Sequence, residues 1–189
     1  MNQSCRLSEN AKDYLSVFQG ILDKMEREMT GAERTDSISQ NFIVQMIPHH
    51  RAAIEMSKNI LRYTTSLPLQ EIAANIVEEQ TKSIENMKRI QRGCAGLCNC
   101  ERDLRLYRRR TDQIIRSMFA GMGRAAGTNR INCDFMREMI PHHRGAVEMS
   151  TNALQYDICP ELIPILDAII TSQEKGIAQM QSLLKCMGC

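Results

Sequence analysis

The sequence predicts an all-α bundle made of two three-helix repeats. Three observations predict it. An offset of 93 residues carries His49 onto His142, and with it much of the chain, without a gap. Apolar residues recur at the spacing of one helix face, i, i+4, i+7. No alternating stretch is long enough to make a convincing strand.

The offset pairs Tyr14 with Tyr107, Phe42 with Phe135, Tyr63 with Tyr156, Ile76 with Ile169 and Gln80 with Gln173. It therefore divides the chain into residues 1–96 and 97–189, two similar units. A single three-helix unit buries its stripes poorly. Packing two units about a pseudo-twofold axis gives one continuous core, and the short junction "RGCAGLCNCE" favours one globular unit over two beads.

Each element follows from its pattern. The first helix presents Tyr14, Phe18, Ile21, Leu22, Met25 and Met29 on one face. "MTGAERTDS" breaks it, with Asp36 or Ser37 as the N-cap of the next helix. That second helix is expected from about Ile38 to Tyr63. Pro48 lies inside it, removing one backbone donor and kinking the helix just before two histidines. "TTSLP" ends it, and a third helix is expected from about Leu69 to Gln91, with Ile72, Ile76, Gln80, Ser83, Met87 and Ile90 inward. The second half repeats the plan, with breaks at "GRAAGTNR" and "DICP".

Composition narrows the function. In 189 residues, the net charge of +2 and the lone basic run Arg108-Arg109-Arg110 give no case for nucleic acid. No apolar run approaches the roughly 18 residues of a spanning helix, so no membrane role is expected. The polar start "MNQSCRLSENAKDY" lacks the apolar stretch of a secretory signal, so a cytoplasmic location is expected. Eight cysteines in a reducing compartment point to metal or redox chemistry rather than to a disulfide framework.

All four histidines fall in two copies of one string, "MIPHHRAAIEMS" and "MIPHHRGAVEMS". At about 100° per residue, His49 and His50 fall on the same face as Met46 and Met56, while Glu55 points away, beside Arg51. Met46 stands i, i+3 from His49 and i, i+4 from His50, spacings at which side chains meet. The matched set is Met139, Met149, His142 and His143. Ten of the thirteen methionines form five pairs at the offset, Met87 and Met180 among them. Paired imidazoles with thioethers at ligand spacing point to a metal. The competing reading is that the histidines are core residues bonded to backbone carbonyls or to Gln80 and Gln173. A hard iron or manganese site needs inward glutamates, and here the wheel places the glutamates outside. Thioether plus imidazole is a soft set that suits copper, above all Cu(I); silver competes on the same grounds, and zinc leaves the methionines unexplained. Affinity is then expected to fall below the ordinary imidazole pKa of about 6.5.

The cysteines lie mainly at the ends of the halves. The offset maps Cys5 to Cys98, which predicts two thiol clusters: Cys94, Cys98 and Cys100, and Cys5, Cys186 and Cys189. Either would suit Cu(I) or zinc. Cys133 and Cys159 have no counterparts and are expected only to pack.

The strings "F-x-x-x-MIPHHR-x-A-x-EMS" and "I-x-x-x-Q-x-x-x-I-x-x-M", each present twice, resemble domain-of-unknown-function family 305 from about Asp36 to Leu184. The resemblance implies a ferritin-like helical bundle and an association with copper binding or resistance. It implies Met46, His49, His50, Met56 and Met87, with Met139, His142, His143, Met149 and Met180, as the residues of interest. Most members look secreted, and this chain departs from them in its polar start and cysteine-rich ends. The leading expectation is a copper buffer, store or chaperone. A metal-dependent oxidoreductase and a metal-free structural bundle are the alternatives; no Ser-His-Asp set, phosphate loop or paired carboxylates indicate other catalysis. Metal ions, a second copy of the chain or a copper-accepting protein are the expected partners.

Overall fold

The computed structural model describes residues 6–125 and 127–189. Six long helices carry nearly all of it: α1 (Glu9–Thr30), α2 (Ile38–Ile60), α3 (Leu67–Ile90), α4 (Glu101–Gly123), α5 (Ile131–Ala153) and α6 (Ile163–Cys186). No strand occurs among the described residues, so the protein is all-α. No described helix is long and apolar enough to cross a membrane.

Local chemistry sets the boundaries. Ser8 and Ser37 cap α1 and α2 by accepting from the amides of Ala11 and Gln40. Of the two cap candidates the chain uses Ser37. Helix α2 stops at Ile60, three residues short of the expected end, and α3 starts at Leu67, two residues early, with Pro68 in its first turn. Proline is welcome there because its missing N–H would be unpaired anyway. Pro48 and Pro141 instead sit inside α2 and α5, as expected. Each deprives the carbonyl four residues back of its donor.

Helix α1 packs on α2, α2 on α3, α4 on α5 and α5 on α6. Across the halves, α2 packs on α5 and α3 on α6. Helices α2 and α5 thus have neighbours on three sides, which is why polar as well as apolar residues on them are buried. Phe42 and Phe135 are fully enclosed, each contributing about 1.5–3 kcal/mol of burial.

Contacts recur at the 93-residue offset. Tyr14 meets Tyr63 edge-on with centroids 5.9 Å apart, and Tyr107 meets Tyr156 at 5.8 Å. Asn59 Nδ2 donates to the Tyr14 carbonyl at 3.1 Å, and Asn152 Nδ2 to the Tyr107 carbonyl at 3.2 Å. Glu55 does not pair with Arg51 as the helix wheel implied. Lys24 of α1 reaches it at 2.8 Å, because the packing of α1 on α2 brings a better partner than the same helix offers.

Candidate metal centre

Where α2 crosses α5, the two histidine pairs meet. All four imidazoles are buried. The rings of His49 and His142 stack, with centroids 3.6 Å apart and planes at 28°. His49 Nε2 lies 3.2 Å from the His142 carbonyl oxygen, and His142 Nε2 lies 3.2 Å from the His49 carbonyl oxygen.

This reciprocal pair decides the tautomer. A carbonyl only accepts, so each Nε2 carries the proton and each Nδ1 is a bare lone pair. Neither Nδ1 has a hydrogen-bond partner. Metal-ligating histidines are oriented in the same way, with one ring nitrogen bonded to a carbonyl or carboxylate and the other free for the ion.

His50 and His143 point away from the crossing. His50 Nε2 lies 3.1 Å from Ser83 Oγ on α3. Residue 176 holds the position matched to Ser83, and it is glycine; a Cβ there would lie 2.9 Å from His143 Cδ2 and 3.0 Å from its Nε2. The second half thus trades a hydroxyl partner for close contact between ring and α6 backbone. The Nδ1 atom of His50 is also unpartnered, whereas the ring of His143 feels the Met139 carbonyl one turn back. His50 lines a groove of about 660 Å³ between α3 and α6, together with Gln80, Ser83, Gln173 and Glu161. His143 lines a narrower crevice with Gln80, Gln173 and Gly176. Both Gln80 amide atoms and Gln173 Oε1 are buried without partners, so the glutamines do not satisfy the histidines.

Burial holds the imidazoles neutral. It lowers His50 to about 3, with the charge of His142 adding to the effect. It lowers His142 to about 4 against the opposing bond to the His49 carbonyl. His49 and His143 are pushed well below the ordinary value by burial and by the neighbouring imidazoles. The neutral imidazole form therefore persists well below the ordinary pKa of about 6.5.

Met46, Met56 and Met87, with Met139, Met149 and Met180, are buried in the same continuous core. No three of the imidazoles approach one another closely enough to hold an ion unaided among the described residues, where the compact group of His, Cys, Asp or Glu is Cys94, Cys159 and Glu161.

Two expectations need correction. The glutamates do not all face outward: Glu138 is 1% exposed and accepts from the Tyr14 hydroxyl at 2.6 Å. It turns toward α1, and the helix wheel missed it because α5 is covered on more than one side. The cysteines do not form the expected clusters either. Cys94 is disulfide-bonded to Cys159, and Cys133 to Cys189. Cys98, Cys100 and Cys186 are free and exposed, and Cys5 lies outside the described residues. Cys133 and Cys159, expected only to pack, are thus bonded to the cysteines assigned to metal. Repeat symmetry could not reveal this, because both bonds join residues that the offset does not relate.

Residues 8–91 and 115–185 match the family model described as Domain of unknown function (DUF305). No curated protein matches the chain. Solved structures of CopM are similar over part of this chain, from 79% to 82% of it in the three compared below. The Cu(II)-bound form has a TM-score of 0.61 at 27% identity, covering 79% of this chain and 97% of that one. The Cu(I)-bound form has a TM-score of 0.58 at 27% identity, covering 82% and 99%. The Ag-bound form obtained by soaking has a TM-score of 0.59 at 28% identity, covering 80% and 96%.

Proposed function

We propose that this chain, which belongs to the DUF305 family, is a copper-binding protein that buffers, stores or passes on Cu(I). His49, His50, His142 and His143 supply nitrogen, and Met46 and Met139 supply sulfur. Met56, Met87, Met149 and Met180 are reserve donors. The observation that carries the reading is the set of four buried, neutral imidazoles, with no partner on the Nδ1 atoms of His49, His50 and His142. A buried polar atom left unpaired costs a few kcal/mol, and a metal ion would remove that cost. Sparse nitrogen beside abundant thioether suits a soft ion of low coordination number. The similarity to CopM, solved with Cu(I), Cu(II) and Ag bound, supports the same chemistry and makes silver the natural competitor.

In this reading residues 1–96 and 97–189 act as one unit, because the ligands come from both halves. The two disulfides fit an oxidising compartment better than the cytoplasm expected from the sequence.

One observation favours a second reading. The reciprocal His49–His142 bonds hold α2 to α5 without any metal, as a purely structural pair would. Titration with Cu(I) under anaerobic conditions, thiols blocked and a chelator competing, separates the two. The parent is expected to hold copper. The variant with His49, His50, His142 and His143 all replaced by Gln is expected to fold and lose most of it. Equal retention by both would make the histidines core residues and overturn the copper assignment.

A further inference from the structure

We propose that Cys94, Cys159 and Glu161 form a second metal site, separate from the histidines, that exists only when the Cys94–Cys159 disulfide is reduced and that takes Zn(II). The three ligand atoms lie within 4.8 Å of one another. They come from distant parts of the chain. Cys94 sits in the 3-10 turn Gly93–Gly96 after α3, while Cys159 and Glu161 flank the start of the turn Pro160–Leu162 before α6. Both sulfurs are buried and the carboxylate is exposed, so the site is dry on one side and open on the other.

The second observation is the contact between Cys159 Sγ and Glu161 Oε2, at 3.0 Å. A disulfide sulfur has no proton to donate, so in the oxidised pair nothing offsets the carboxylate's approach. In the reduced pair the thiol is a donor to it. With an ion between them, sulfur and oxygen are both ligands.

Reduction by a dithiol moves two electrons and two protons onto the Cys94–Cys159 bond and leaves the dithiol as its own disulfide. Zn(II) then binds the two sulfurs and the carboxylate, and both thiol protons go to solvent. Two thiolates with one carboxylate oxygen make a mixed set that suits zinc, which binds Cys and Glu alike and in open sites keeps a fourth position for water. The hard oxygen makes the set poorer for Cu(I) than two thiolates alone. In either redox state the same two points of the chain stay joined, by the S–S bond or by the ion. Glu161 also lines the groove that leads to His50, so the two sites share one opening.

The test uses the full chain with Cys5, Cys98, Cys100, Cys133, Cys186 and Cys189 replaced by Ser, leaving Cys94 and Cys159. The protein is reduced anaerobically with a water-soluble phosphine, which takes oxygen from water, becomes its oxide and does not compete as a thiol would. Free thiols are counted by alkylation mass. Zn(II) is titrated against a chromophoric chelator, and Co(II) gives the thiolate charge-transfer band in a parallel sample. Expected are one Zn(II) per reduced chain, none in the oxidised chain, and an affinity at least tenfold weaker in Glu161→Ala. That substitution is at an exposed position, so the fold is not at risk. The proposal is overturned if the folded chain cannot be reduced, if the reduced chain takes no zinc, or if Glu161→Ala binds as tightly as its parent. None of these outcomes depends on the histidines, so the copper assignment stands or falls separately.

Discussion

Replacing Glu138 by Gln is expected to stabilise the metal-free protein at alkaline pH and to remove much of its pH dependence. Glu138 is buried on α5, and burial is the main cause that lifts its carboxyl to about 8 from an ordinary 4.5; the bond from Tyr14 opposes the shift and the charge of Asp134 adds to it. Below 4.5 the folded and unfolded chains both hold the proton. Between 4.5 and 8 the unfolded chain loses it while the folded chain keeps it, so stability falls as pH rises through this window. Above the folded value both are ionised and the loss is complete. At about 1.4 kcal/mol per unit, the whole swing is on the order of 5 kcal/mol. A glutamine carries no such titration, and the position matched by the 93-residue offset already holds one. Gln45 donates from Nε2 to the Met29 carbonyl at 3.3 Å, so the site tolerates an amide. The amide oxygen can still accept from Tyr14. Urea unfolding of parent and variant at pH 5, 7 and 9 measures the difference, and groups common to both cancel. The two should be similar at pH 5 and should diverge by several kcal/mol at pH 9, the variant being the more stable. Parallel pH profiles, or a variant weaker than the parent at pH 9, would refute the reasoning.

At the opposite end of the pH scale, the depressed histidines destabilise the fold as pH drops. Stability from them is complete above 6.5 and declines toward the folded values of about 3 for His50 and 4 for His142, because only the unfolded chain takes up protons there. The four-Gln variant, measured metal-free by the same unfolding series at pH 4 to 7, should lose that decline; an acid sensitivity equal to the parent's would mean the imidazoles reach water. Gly176→Ala should destabilise, since the added Cβ would press on the His143 ring at 2.9 Å and overpacking costs about 1–3 kcal/mol against the roughly 1 kcal/mol that alanine gains in a helix. A melting temperature at or above the parent's would show that the ring yields freely. Asn59→Ala and Asn152→Ala should each cost about 0.5–1.5 kcal/mol by losing the bond to the Tyr14 or Tyr107 carbonyl, which keeps its own helical donor, and Asn152→Ala should cost more because Asn152 also donates to Thr111 Oγ1 at 3.0 Å; a larger loss for Asn59→Ala in thermal unfolding would refute this.

The helices were legible because helix formation is local. The face of Tyr14, Phe18, Ile21 and Met25 reads directly off a period of 3.6, and all of these residues are buried. Ser37 could be read as a cap because its side chain needs only the amide of Gln40, three residues on. The burial of both histidine pairs followed from the same wheel. What periodicity cannot show is which faces a helix presents to a second or third neighbour. Glu138 lies where a single-sided helix would meet water, yet it is buried and takes its hydrogen bond from Tyr14 of α1. The stacking of His49 on His142, and the carbonyl bonds that leave each Nδ1 bare, need two helices to cross at one residue. Ser83 and Gly176 differ at matched positions, yet what each does to its histidine depends on how closely α3 and α6 approach. The cysteines show the limit most clearly. Spacing along the chain grouped Cys94 with Cys98 and Cys100, but Cys94 is bonded to Cys159, 65 residues away. A covalent or metal bond needs its atoms within a few ångströms, and sequence distance carries no information about that once the chain has folded back on itself.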